Sequence, residues 1–333
     1  MVRSLENREL AAVVAIIVVF SGVAVIAFWP RPAAPDVRIG FLSQDLHQLA
    51  LKVAQDNGMF EEANLTVETV VYGNGAEEMR GFQAGQIDMG YLGAAPALTL
   101  GINSQIQVTI LAAANYEGSA LMVKKDLYDA GVISDITDLA GKTIYHPGPS
   151  TVQNFLLRLA LNQSGMTVND VFLEQSRPQD MAISLTVDSP AFIAWEPFPA
   201  RAQADGLAEP LVLSGDIWAR HPCCVLAASN DFIEGDPVTV QKVVDIHRQA
   251  TEWIANNPSL ALDIAINWLG MAETTVETAF NRIIYDYNVN KSGIERYLVF
   301  LIEQDIVEMD LSEVDDFLDM FIDDTYALAT CSC

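Results

Sequence analysis

Asp138–Leu157 reads DLAGKTIYHPGPSTVQNFLL, and the order of its parts decides the fold. Lys142–Tyr145 is short and apolar enough for a strand. His146-Pro147-Gly148-Pro149 pins a loop. Ser150 then opens a helix expected to run to about Ser164, with Ser150 and Gln153 at the S-x-x-Q spacing of a capping box. A strand that enters a helix through a tight loop is half of a βαβ unit.

The same order repeats upstream. Val37–Leu42 (VRIGFL) is apolar enough for a strand, and Leu46, Leu49, Ala50 and Val53 follow at helical spacing. Gly58 ends that helix. Leu65–Val71 alternates as a second strand. Gly73-Asn74-Gly75 is a turn into a helix over 76–84. Ile87–Leu92 is a strand, Pro96 starts a helix, and Gln107–Ala114 is an apolar strand. Downstream, strands are expected at Val171–Leu173, Ala191–Trp195 and Val225–Ser229, with a helix over 178–187 between the first two. After Asp236 the chain reads as nearly all helix. Alternation of this kind predicts an α/β fold with largely parallel sheets covered on both faces. Two such units with a return strand imply two α/β lobes joined by a hinge. The first lobe takes residues 36–118 plus 227–333 and the second takes 119–226. Ligands favour the cleft between such lobes.

Residues 1–35 stand apart as an anchor or signal segment and linker. Leu10–Trp29 (LAAVVAIIVVFSGVAVIAFW) carries no charge and is long enough to cross a bilayer. It predicts one N-terminal transmembrane helix spanning residues 10–29, with the remaining body on the extracytoplasmic side of the cytoplasmic membrane. Pro30–Pro35 (PRPAAP) reads as a stiff linker. The 333 residues carry 18 Lys and Arg against 44 Asp and Glu, a formal charge of −26. That balance argues against a nucleic-acid partner, since phosphate binding needs concentrated basic residues. Cys223, Cys224, Cys331 and Cys333 lack the spacing of a zinc ribbon, and the adjacent pair reads as buried thiols. No metal or cofactor is expected.

Ligands of open α/β sheets sit beyond the carboxyl ends of the strands. There, helix starts offer unpaired N–H groups to an anion. Ser150 and Thr151 form the sharpest such start. Ser43 and His47 follow the first strand, and either Ser43 or Asp45 can cap the helix there. Gly73 and Gly75 make the next loop. Ala94 and Ala95, after Gly93, let a ligand approach the backbone. Trp195 ends the strand AFIAW, where an indole can wall a cleft, and Glu196 follows it.

Together these stretches resemble the alkanesulfonate, taurine and nitrate group of periplasmic binding proteins. That fold group also holds the binders of thiamin-pyrimidine precursors. The likeness rests on Phe82–Leu98 (FQAGQIDMGYLGAAPAL), Asp138–Leu157, Phe192–Ala202 (FIAWEPFPARA) and His221–Ser229 (HPCCVLAAS). It implies a type II periplasmic-binding-protein fold. It also implies a solute-binding protein, not an enzyme, that captures a small organic anion or zwitterion by lobe closure. Delivery would go to an ABC permease with a cytoplasmic ATPase. Carried over by motif, the ligand pocket takes Ser43, His47, Gly73, Gly75, Ala94, Ala95, Asn115, Ser150, Thr151, Trp195 and Glu196. The alternatives are thiamin-pyrimidine precursor binding or synthesis, or a ligand-sensing module.

Overall fold

The structure is a computed structural model and describes residues 34–328. Twelve strands are named in chain order. The first four are β1 (Val37–Leu42), β2 (Val67–Tyr72), β3 (Met89–Gly93) and β4 (Val108–Ala113). Next come β5 (Asn115–Glu117), β6 (Ser119–Lys124), β7 (Thr143–His146) and β8 (Phe172–Gln175). The last are β9 (Ala191–Trp195), β10 (Ala208–Leu213), β11 (Cys224–Ser229) and β12 (Ile283–Tyr285). They form two five-stranded sheets, ordered β2-β1-β3-β11-β4 and β10-β6-β9-β7-β8, and one two-stranded ribbon of β12 and β5.

Each large sheet is part parallel and part antiparallel. β1 runs parallel to β2 and β3, while β11 runs antiparallel to β3 and β4. In the second sheet β7 runs parallel to β8 and β9, while β6 runs antiparallel to β9 and β10. The central strands β3 and β9 are buried at every residue. Helices on both faces demand that, and continuous apolar runs supply it.

Eight helices position the site and its supports. They are α1 (Leu49–Asp56), α2 (Gly75–Gln83), α3 (Ala94–Asn103) and α4 (Val152–Gln163), then α5 (Phe198–Ala204), α6 (Pro237–Asn256), α7 (Glu273–Phe280) and α8 (Lys291–Glu303). α4 packs against α3 and α8, so its body rests on the helices of the first sheet. The chain leaves that sheet through β5 and returns through Trp218–Cys223. Tyr116 and Pro222 bridge the two crossings. β11 is already in the first sheet at Cys224, ahead of the boundary expected after residue 226.

Several sequence expectations are corrected. Thr151, not Ser150, caps α4, its side chain accepting from the Asn154 amide. Gln153 therefore does not close a capping box. Its Nε2 donates instead to Ser119 Oγ at 3.0 Å. α3 begins at Ala94 and not at Pro96. The helix expected over 178–187 is α-helical only to Met181 and ends in a 3₁₀ turn, Ala182–Ser184. The single-pass membrane localisation is also withdrawn. Among the described residues no helix is long and apolar enough to cross a membrane. Leu10–Trp29, on which that expectation rested, lies outside them.

Candidate functional site

Strand ends and helix starts from both sheets enclose a small cavity. From the first sheet come Leu42 at the end of β1, His47 in the turn before α1, Asn74 and Gly75 at the start of α2, and Gly93 and Pro96 at the start of α3. From the second come Thr151, Val152 and Gln153 at the start of α4, and Trp195 at the end of β9. Cys223 and Cys224 close it from the return crossing. Its free volume is about 20 Å³, room for about one water. A wider groove of about 440 Å³ adjoins it and shares Asn74 and Trp195, with Gly73, Pro147, Gln175 and Arg177 around it.

Three helix N-termini meet at this cavity. In each, the first amides lack an intrahelical partner and carry the positive end of the helix dipole. At α2 the Asn74 side chain accepts from the Glu77 amide, which leaves the amides of Gly75 and Ala76 ahead of it. At α4 the Thr151 side chain takes the Asn154 amide, which leaves those of Val152 and Gln153. α3 is different. Its Ala94 amide donates to the Cys223 carbonyl at 2.8 Å, so that group is spent within the protein.

Trp195 is 5% exposed, and its Nε1 has no hydrogen-bond partner among the described residues. A buried N–H left unpaired is costly.

His47 is the titratable centre of the site. Its Nε2 lies 2.8 Å from the Gly118 carbonyl. That approach requires glycine: a Cβ on Gly118 would stand 2.3 Å from Nε2, and its φ is +83°. His47 Nδ1 faces Asp45 Oδ1 at 3.4 Å, Cys223 Sγ at 3.5 Å and Cys224 Sγ at 3.7 Å. Burial opposes a charge on the imidazole, but Cys223 and Asp45 outweigh it and push the His47 pKa up to about 9. Burial raises Asp45 to about 6, against the pull of His47. The hydrogen bond from Cys224 holds the Cys223 thiol well below the ordinary range.

Of the residues expected from sequence, His47, Gly75, Thr151 and Trp195 line the cavity and Gly73 lines the outer groove. The others do not line the cavity. Ser43 is exposed, and Asp45 caps the turn in its place. Ser150 is partly exposed ahead of the true cap. Ala94 and Ala95 are fully buried in packing. Asn115 is buried in the crossing, accepting from the Cys224 amide at 3.0 Å. Glu196 is fully buried, paired with Arg282 at 2.9 Å and accepting from the Ala200 amide at 3.0 Å. Sequence reasoning missed Asn74, Gln153 and Cys223-Cys224 as lining residues. Asn74 carried a signal, since an Asn before a helical run is a strong N-cap.

The comparisons agree with an α/β periplasmic-binding-protein fold of two lobes. The chain belongs to the NMT1-like family, whose model matches residues 31–268. It is 24% identical over 263 residues to a provisionally assigned binding protein of Brucella abortus, covering 76% of this chain and 78% of that one. It is 29% identical over 216 residues to the taurine-binding periplasmic protein of Escherichia coli, covering 63% of this chain and 65% of that one. Among solved structures, the periplasmic nitrate-binding protein of Synechocystis superposes with a TM-score of 0.79 at 16% identity, over 88% of each chain. The aliphatic sulphonate-binding protein of Escherichia coli gives 0.70 at 15% identity, over 83% of this chain and 96% of that one. At such identities the likeness establishes the fold.

Proposed function

We propose that this chain is the solute-binding component of an ABC importer and captures a small organic anion or zwitterion between its lobes. The lobes are those set out from the sequence, 36–118 with 227–333 and 119–226, with the return shifted to Cys224. The observation that carries the reading is the meeting of the α2 and α4 N-termini, one from each sheet, at a cavity also lined by Trp195, whose buried N–H is unpaired among the described residues. Backbone amides and one indole can hold an oxyanion without a basic side chain in the cavity. Relatives named for taurine and nitrate support the same class.

The cavity holds about one water, so a solute of several heavy atoms enters only when the lobes part. Binding to one lobe then favours closure, because the amides of the second reach the solute only in the closed form. Capture followed by release suits a Kd on the order of 1 μM, about −8 kcal/mol. The test is a thermal-shift panel on the full chain with nitrate, methanesulfonate and taurine, and with choline as a cation of similar size. A midpoint that rises with one of the first three and not with choline supports the proposal. A rise with choline alone, or with none of the four, overturns the anion reading.

A further inference from the structure

We propose that His47, Cys223 and Cys224 form a binding site for one thiophilic metal ion of the zinc class at the floor of the cleft. One donor atom from each of these three buried residues lies within 4.8 Å of the others. The Cys223 and Cys224 sulfurs both approach the same nitrogen, His47 Nδ1, at 3.5 and 3.7 Å. An ion with bonds of about 2.3 Å to sulfur and about 2.05 Å to nitrogen holds those atoms about 3.6 Å apart when tetrahedral. The spacing is therefore that of a coordination edge.

The direction of the imidazole agrees. His47 Nε2 is committed to the Gly118 carbonyl, which can only accept, so the proton there is fixed and Nδ1 is the nitrogen that faces the sulfurs. Metal-bound histidines are oriented in this way by a carbonyl or carboxylate on the far nitrogen. Asp45 and Cys223 share the Nδ1 side. A proton relay would place a carboxylate and a nucleophile on opposite nitrogens. Here the groups converge on one point.

Charge and access complete the case. With an ion bound, Cys223 and Cys224 would be thiolates and would supply negative charge beside Asp45, and no Lys or Arg lines the cavity. Two sulfurs and one nitrogen suit zinc better than calcium or magnesium, which take oxygen donors. The thiols and His47 border the cavity, so a fourth coordination position opens toward the place assigned to the solute. Loading releases the protons of the two thiols and of Nδ1 to solvent.

The experiment titrates zinc(II), and cobalt(II) as its coloured substitute, into the reduced full chain carrying Cys331→Ser and Cys333→Ser. The tail thiols then cannot contribute. No solute is added, so the outcome is independent of the anion reading. One equivalent should bind, with a thiolate-to-cobalt charge-transfer band. Zinc should shield both remaining thiols from alkylation, a readout that needs no further variant. Cys223→Ser, Cys224→Ser and His47→Asn should each weaken zinc by at least about tenfold, since even the outer partners of metal ligands matter to that extent. Absence of the band, alkylation unaffected by zinc, or unchanged affinity in folded single variants overturns the proposal.

Discussion

At the scale of single residues, the site is defined by groups that the protein leaves unused. Trp195 keeps its ring packed against Phe198 at a centroid distance of 5.9 Å, yet its N–H finds no partner among the described residues. Trp195→Phe keeps most of the packing and removes the donor. We expect it to weaken binding of the anion found in the panel by about tenfold, the value of a hydrogen bond to a charged group, with the unfolding midpoint little changed. Calorimetric titration reads the first and a melting curve the second. An affinity equal to wild type would remove the indole from the account. Thr151 does different work. Thr151→Ala removes the α4 cap and should cost about 1 kcal/mol of stability, read by denaturant unfolding.

At the scale of elements, an ion pair joins the residue after β9 to the turn between α7 and β12, next to the cavity-lining Trp195. Glu196 follows β9 and is fully buried; Arg282 follows α7 and is 14% exposed. Arg282 Nη2 also donates to Gln203 Oε1 on α5 at 2.7 Å. Arg282→Met leaves a buried carboxylate uncompensated and should destabilise the fold by about 3 kcal/mol. Adding Glu196→Gln should recover part of that loss, as read by urea unfolding of both variants; no recovery would mean that the guanidinium acts through packing alone. α6 supplies a pH response. Burial lowers the His247 pKa to about 4, although the Ala113 carbonyl accepts from its Nε2 at 2.7 Å. The other ring nitrogen meets the hydroxyl of Tyr91, itself raised by burial. The unfolded histidine titrates near 6.5, so between 6.5 and about 4 the unfolded chain binds the extra proton. Stability is therefore lost as pH falls through that window, by ~3 kcal/mol at most. His247→Gln should flatten the dependence of the melting midpoint on pH, and an unchanged slope would contradict the assignment. Elements were legible where a mostly apolar run marks a strand: β1 and β9 match their expected bounds. β6 and β10, each six residues long and antiparallel to each other, were not assigned. Their place depends on long-range pairing. The lining residues were legible by loop, not by atom. Sequence shows that a helix follows Gly93 but places its start at Pro96, and only the fold shows it starting at Ala94 with the Cys223 carbonyl taking the Ala94 amide.

At the scale of the molecule, the two crossings are joined at Tyr116 and Pro222 beside the ribbon of β5 and β12, which on the proposed function is the hinge. The inner cavity keeps about 20 Å³ beside a groove of about 440 Å³, and on the proposed function this arrangement is the closed form. A binding protein that worked only in this form could neither admit nor release a solute, so an open form must be populated. The sequence indicated the two lobes through their repeated strand-loop-helix order. It could not indicate how far apart they stand, since that depends on contacts between residues distant in the chain. Small-angle X-ray scattering of the full chain, alone and with nitrate, methanesulfonate or taurine, tests capture by closure most directly. The account predicts that the radius of gyration falls with one of these anions and does not fall with choline. A radius unchanged by all three anions, or one that falls with choline alone, would contradict it.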